Sequence, residues 1–200
     1  MNDSTSGRDA TPSEPLEPRA APLIGRRVYL RPVYPDDYRY LYSLATSERV
    51  GYRWRERGMT PSPEDFARAL WDRVLAQFII VTKSDDRPIG LVICSAANFR
   101  NGFAYISLVL DPSVWRSGWP LEGILLFLNY IFMNWNFRKL YLEAPEFTYK
   151  DFRSGEGRLF IEEGVLREHE YYDDRYWDMH VLAVPRSLWL EHGLRLLRPL

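Results

Sequence analysis

One cysteine and three histidines are all that this 200-residue chain offers to disulfide or soft-metal chemistry. The lone Cys94 excludes an intrachain disulfide and a cysteine-based metal site, and in an apolar strand it reads as a small buried hydrophobe. His169, His180 and His192 are spaced unlike any zinc motif, so no metal is expected. Long apolar runs are lacking as well. The most apolar stretch, residues 121–133, is shorter than the roughly twenty residues of a membrane span and is broken by Asn129. Residues 1–22 contain no apolar segment of signal-peptide type and read as a disordered tail rich in Ser, Thr, Pro and charge. Nor is there an excess of charge: Lys and Arg number 26, Asp and Glu 27, for a net charge of -1. That balance excludes a chain-wide field for nucleic acid and leaves only local basic patches. Together these gaps predict a cytoplasmic protein with no metal and no membrane anchor.

Aromatic and apolar side chains are plentiful. Hydrophobic residues make up 46% and aromatics 15%, enough for one sizeable core at this length. Alternation predicts a strand over 27–33. Pro35-Asp36-Asp37 opens a helix over 38–46, its acids well placed in the first turn. Thr60-Pro61-Ser62-Pro63-Glu64 caps a second helix that reaches residue 74. Strands over 78–82 and 88–94 form a hairpin, followed by a strand at Phe103–Leu110, a long helix over 119–135 and a strand over 140–144. A further helix is expected over 154–163, stopped by Gly164. A last hairpin spans 165–171 and 176–184, and a short amphipathic piece follows over 187–197. This order predicts a mixed α/β fold: a central, mostly antiparallel twisted sheet with helices on both faces.

Residues 108–133 are the most informative. An apolar strand enters a short loop, the loop opens the long helix, and Gly118 sits at the junction. First-turn amides of such a helix can hold a phosphate-bearing ligand without a lysine. The arrangement is common, and by itself it is weak support for any ligand.

Four stretches sharpen it. They are Leu23-Ile24-Gly25-Arg26-Arg27-Val28-Tyr29-Leu30-Arg31-Pro32; Val109-Leu110-Asp111-Pro112 followed by Gly118 and Glu122; Phe137-Arg138-Lys139-Leu140-Tyr141-Leu142-Glu143; and Glu163-Gly164-Val165 through to Arg175-Tyr176-Trp177-Asp178. In that order and spacing, residues 23–184 resemble the GCN5-related N-acetyltransferase (GNAT) superfamily, most closely its ribosomal-protein N-terminal acetyltransferase-like branch. The resemblance implies a single GNAT-like domain over 23–184, with 185–200 as a C-terminal extension. It implies one splayed parallel strand pair, Phe103–Leu110 beside 140–144, and acetyl-CoA or another acyl-CoA as cosubstrate with its pantetheine arm in the gap. Leu108, Val109 and Leu110 would hold the arm, and Arg116, Ser117, Gly118, Trp119 and Leu121 the pyrophosphate. The loop departs from the family pattern of Gln or Arg, two residues, Gly, one residue, then Gly or Ala. Here Trp115 displaces the basic or amide side chain, leaving Arg116 to replace its charge, and Pro120 gives up one amide.

Acetyl transfer to an amine needs a deprotonated amine, a polarised thioester carbonyl and a proton for the leaving thiolate. Where the resemblance implies a glutamate base and a tyrosine donor, this chain has Tyr105 and Phe160. Tyr105, Glu143 and Ser154 remain as catalytic candidates. Each also has a bland alternative, as a half-buried strand tyrosine, a solvated carboxylate and a loop serine. Counting back from Gly164 puts the family's serine position at Glu156, so the place of Ser154 stays open. Ser107 shares the face of Tyr105 by period two, and Glu122 reads as a partner for nearby amides. On the acceptor side Arg53, Trp54, Arg55, Tyr171 and Tyr176, with Tyr38, Tyr40, Tyr172 and Trp177, suit an aromatic or acidic substrate. Core aromatics and solvated arginines are the alternative.

The expected activity is transfer of an acetyl group from acetyl-CoA to a primary amine, on a small molecule or a peptide N-terminus, by direct attack in a ternary complex. One rival is a transferase that takes an acyl or aminoacyl group from charged tRNA. The other is a non-catalytic acyl-CoA-binding or regulatory domain. The last hairpin, dense in Tyr and Trp, permits a homodimer.

Overall fold

The computed structural model describes residues 22–54, 57–115 and 117–197; nearly all of the expected tail, and Arg55 and Arg116, lie outside them. The strands are β1 (Leu23–Ile24), β2 (Val28–Pro32), β3 (Val74–Thr82), β4 (Pro88–Asn98), β5 (Phe103–Leu110), β6 (Lys139–Pro145), β7 (Ile161–Tyr172) and β8 (Arg175–Pro185). They form one sheet in the order β1-β2-β3-β4-β5-β6-β8-β7. Only the β5–β6 pair is parallel.

Side-chain alternation divides the core between the two faces of the sheet. Ile79, Val81, Leu91, Ile93 and Val109 pack with Leu41 and Leu44 of α1 (Tyr38–Ala45) and Phe66 of α2 (Pro63–Ala69). Their neighbours Ile80, Val92, Cys94, Ala104 and Ile106 pack with Leu125, Leu128, Ile131 and Phe132 of α3 (Trp119–Asn134) on the other side. Cys94 is fully buried on β4, and burial pushes its thiol up to about 12. The mixed sheet with helices on both faces is as expected.

The splay is explicit in the register. β5 and β6 pair at Phe103↔Lys139, Ala104↔Leu140 and Tyr105↔Tyr141, and no further. Beyond that point each strand follows its outer partner. β5 stays with β4 as far as Leu110↔Gly90, and β6 stays with β8 as far as Pro145↔Met179. The sheet therefore opens between them.

Helix α3 is pinned at both ends. Near its start, Glu122 is 3% exposed, and its Oε1 accepts from the Arg27 N–H (2.8 Å) and the Val28 N–H (3.4 Å). A Cβ on Gly25 would lie 2.3 Å from that oxygen and 3.0 Å from the Val28 carbonyl oxygen, so a larger residue there would push the carboxylate off these amides. At the far end the Arg186 guanidinium donates to the carbonyls of Phe132 (2.8 Å), Phe137 (2.7 Å) and Trp135. A cation at a helix C-terminus is favoured by the helix dipole. The chain beyond β8 continues as helical turns from Arg186 to Leu197, with Trp189 buried and stacked on Phe132.

Two expected helices are corrected. α2 ends at Ala69, and Val74 already belongs to β3, where it pairs with Ser95. The helix expected over 154–163 is absent. One helical turn, α4 (Glu146–Tyr149), and a 3-10 turn at Arg153–Gly155 lead instead into β7 at Ile161. Gly164 sits at a register shift inside that strand rather than at a helix end. Pairing with β8, together with the contacts of Glu163 with Lys139 and of Glu162 with His180, overrides the local helix preference. Among the described residues no helix is long and apolar enough to cross a membrane. Among them, too, no group of three or more His, Cys, Asp and Glu is placed to hold a metal.

Candidate active site

Where β5 and β6 part, a cleft of about 940 Å3 opens. Leu108 and Leu110 of β5, Leu142 and Ala144 of β6, and Leu121, Ile124 and Leu125 of α3 give it an apolar wall. Tyr105, Ser107 and Val109 line it from the sheet face that α1 and α2 cover, together with Glu143 of β6. The unpaired backbone edge of β5 beyond Tyr105 faces this gap. Thr148 also lines the cleft, and its buried Oγ1 has no hydrogen-bond partner among the described residues. A long arm carrying both methylene and amide groups fits such a slot, because buried polar atoms require partners.

The N-terminus of α3 stands at one end. Gly118 is its N-cap and has no side chain to cap the first turn, and Ser117 Oγ accepts from the Trp119 N–H (3.4 Å). Those first N–H groups have no intrahelical acceptor, and Pro120 carries none. Ser117 and Leu121 line the cleft, whereas Gly118 and Trp119 do not, and Trp119 packs against the core. Trp115 folds back over the end of β5, its indole N–H donating to the Leu110 carbonyl (3.3 Å). A Cβ on Gly118 would lie 3.7 Å from Nη1 of Arg27, so a guanidinium that sequence reading left out stands beside this turn.

The three catalytic candidates line the same cleft. Tyr105 stacks on Tyr141 with centroids 5.4 Å apart. Burial raises its phenol above the ordinary value, and Glu143 and then Tyr141 add to the shift. At neutral pH such a phenol holds its proton and can give it up to a thiolate. Glu143 lies two residues beyond Tyr141 and is exposed, open to an amine in the cleft. Ser154 belongs to the 3-10 turn. Phe160 is 5% exposed and closes the entrance to β7. Glu156 instead accepts from the Tyr149 hydroxyl (2.9 Å), a phenol pushed up to about 12 chiefly by burial and then by this carboxylate.

The loop after α1, where acceptor contacts were expected, lines another part of the cleft. Trp54 is buried against Phe66 while still touching the cleft. The Arg53 Nε–H donates to the Tyr52 hydroxyl (2.7 Å), and its guanidinium lies over the rings of Trp115 (4.6 Å), Tyr52 (5.2 Å) and Phe147 (5.7 Å). Tyr52 stacks on Tyr172 at 3.7 Å, and Phe147 meets Trp177 edge-on at 5.0 Å. Tyr171 and Tyr176, expected here, lie elsewhere. They are 59% and 63% exposed, meet each other at 5.2 Å across the hairpin and line no part of the cleft. Strand alternation accounts for the exchange: a step of one residue turns each side chain to the opposite face. Arg57 pairs with Glu170, and both line the cleft. A bulge between Leu166 and Glu170 precedes this residue, held by Asp178, which accepts from the Glu168 N–H (2.9 Å) and pairs with Arg167. Tyr52, Phe147, Glu170 and Arg27 were not picked from sequence. The run Tyr52-Arg53-Trp54 was the available signal for the first of them.

This architecture recurs in known proteins. A spermidine N(1)-acetyltransferase of Vibrio cholerae is 24% identical over 173 residues, covering 85% of this chain and 99% of that protein. A crystal structure of spermidine N-acetyltransferase from Vibrio cholerae in complex with CoA and spermine superposes with a TM-score of 0.72 at 24% identity, over 82% of this chain and 98% of that one. A probable GNAT-family acetyltransferase from Chromobacterium violaceum gives 0.67 at 19% identity, over 94% and 98%. The two relatives from Vibrio cholerae are spermidine acetyltransferases, which moves the comparison away from the ribosomal-protein branch suggested by sequence. The family model for the acetyltransferase (GNAT) domain matches residues 27–146, more than half of the chain, and the protein belongs to the GNAT acetyltransferase family.

Proposed function

We propose that the protein is an acetyl-CoA-dependent N-acetyltransferase acting on a small primary amine. The observation that carries this reading is the parting of β5 and β6 after three residue pairs, with the first turn of α3 at the end of the cleft so formed. The pantetheine arm would run along the free edge of β5, and the pyrophosphate would meet the first-turn amides and Arg27. The amine enters from the face that carries Tyr105 and Glu143. Its nitrogen attacks the thioester carbonyl carbon and the carbon–sulfur bond breaks. Glu143 takes the proton lost by the nitrogen, directly or through water, and Tyr105 protonates the departing thiolate, leaving an amide and free CoA. Held side by side, the two substrates gain most of their rate from orientation. The relatives' names make polyamines the first acceptors to try.

Calorimetric titration with acetyl-CoA, followed by a thiol-release assay over a panel of amines, tests the reading. Micromolar one-to-one binding and amine-dependent thiol release are expected. Absence of binding up to millimolar acetyl-CoA would overturn it.

A further inference from the structure

Arg53 is held as if waiting for an anion. No carboxylate among the described residues pairs with it, and Nε is its one hydrogen-bonding atom, donating to Tyr52. Rings of Trp115, Tyr52 and Phe147 surround the guanidinium, and Tyr172 and Trp177 back those rings. The rings hold the guanidinium in place, and among the described residues both terminal nitrogens are left for a ligand, the groups with which arginine binds carboxylate or phosphate through two parallel bonds. The other described arginine of this loop to line the cleft, Arg57, is already neutralised by Glu170.

We propose that Arg53 is an oxyanion anchor of the cleft, preorganised by its aromatic surround. The position also answers the departure at Trp115. A cation from a distant loop rests on the ring that replaced the family's basic or amide side chain. Two oxyanions reach this part of the cleft under the acetyltransferase reading, on which the proposal rests: a phosphate of the acyl donor, and a carboxylate on the acceptor. A carboxylate-bearing amine would place its carboxylate on Arg53 and its nitrogen toward Tyr105 and Glu143.

The test compares wild type, Arg53→Gln and Arg53→Lys by calorimetry and by tryptophan fluorescence. One arm titrates CoA and, as a phosphate-free control, pantetheine. The other titrates phenylacetate and, as a carboxylate-free control, phenethylamine. If the anchor holds phosphate, R53Q weakens CoA at least tenfold and leaves pantetheine unchanged. If it holds the acceptor, R53Q weakens phenylacetate at least tenfold and leaves CoA unchanged. In either case R53K falls between, since it keeps the charge and loses the fork. If CoA and phenylacetate both bind R53Q within twofold of wild type, or if wild type binds neither anion, the proposal is overturned. Wild type that fails to bind CoA yet binds phenylacetate through Arg53 would instead overturn the acetyltransferase reading alone. Equal melting temperatures of the three proteins confirm that any change lies at the site.

Discussion

A single oxygen carries much of the register between α3 and the sheet. Glu122 Oε1 serves the amides of Arg27 and Val28, at the start of β2, beside Gly25, where a Cβ would crowd that oxygen. Replacing Glu122 with Ala leaves the buried Val28 N–H without an acceptor and should cost about 1–3 kcal/mol. In a domain of this size that lowers the melting temperature by roughly 3–10 °C. E122Q retains an acceptor and should lose less. Gly25→Ala should also destabilise, and the double variant should fall short of the sum, because both changes act on one contact. Additive losses in thermal melts would reject that coupling. At Tyr105 the expected outcome is kinetic. Y105F should lower kcat about a hundredfold with little change in the KM for acetyl-CoA, measured by thiol release. Resemblance brought Tyr105 and Ser154 to notice and a strand end brought Glu143, and all three line the cleft. The stacking around Arg53 was not legible, since Tyr52, Trp115, Phe147 and Tyr172 come from four separate segments.

Among the elements, the β7–β8 hairpin depends most on charge. Lys139, and then Tyr141, hold the Glu163 carboxyl below its ordinary value of 4.5. The Glu168 amide, and then Arg167, hold Asp178 below 3.8. Both groups therefore lose protons more readily folded than unfolded. The stability they lend is present above those ordinary values and is lost as pH falls through the lower, folded ones. Wild type should show a steeper loss of stability between pH 5 and about pH 3 than a variant carrying E163Q and D178N. Parallel acid-melting curves would remove these carboxylates from the account. The same hairpin marks where sequence reading reached its limit. Its existence was plain from the alternation after Gly164, but its start at Ile161 was hidden. Residues 161–163 owe their strand conformation to partners on β6 and β8, which no local pattern records.

At the scale of the whole molecule, one opening in the sheet sets both shape and use. The cleft divides the strands into a β1–β5 half and a β6–β8 half, joined by three residue pairs, by the α3 crossover and by contacts of the loop after α1 with Phe147, Glu170 and Tyr172. A ligand lying between them should brace the two halves. Acetyl-CoA at a hundred times its Kd should raise unfolding free energy by about 2.7 kcal/mol, and the melting temperature by roughly 5–10 °C. No shift across a titration to millimolar acetyl-CoA would mean that the folded protein does not bind it. The strand, loop and long helix of the α3 crossover were readable from apolar patterning, whereas the splayed parallel pair came only from the family resemblance, because pairing between strands distant in sequence leaves no local mark.

Cys94 gives that brace a clock. It is the chain's lone thiol, fully enclosed in a central strand on the β1–β5 side and kept protonated to about pH 12. A thiol-reactive dye can modify it only while the surrounding strands have come apart, so the labelling rate counts excursions out of the native state. Acetyl-CoA should slow that rate in proportion to its occupancy. A rate indifferent to the ligand would show that Cys94 is reached by local breathing instead of by separation of the sheet.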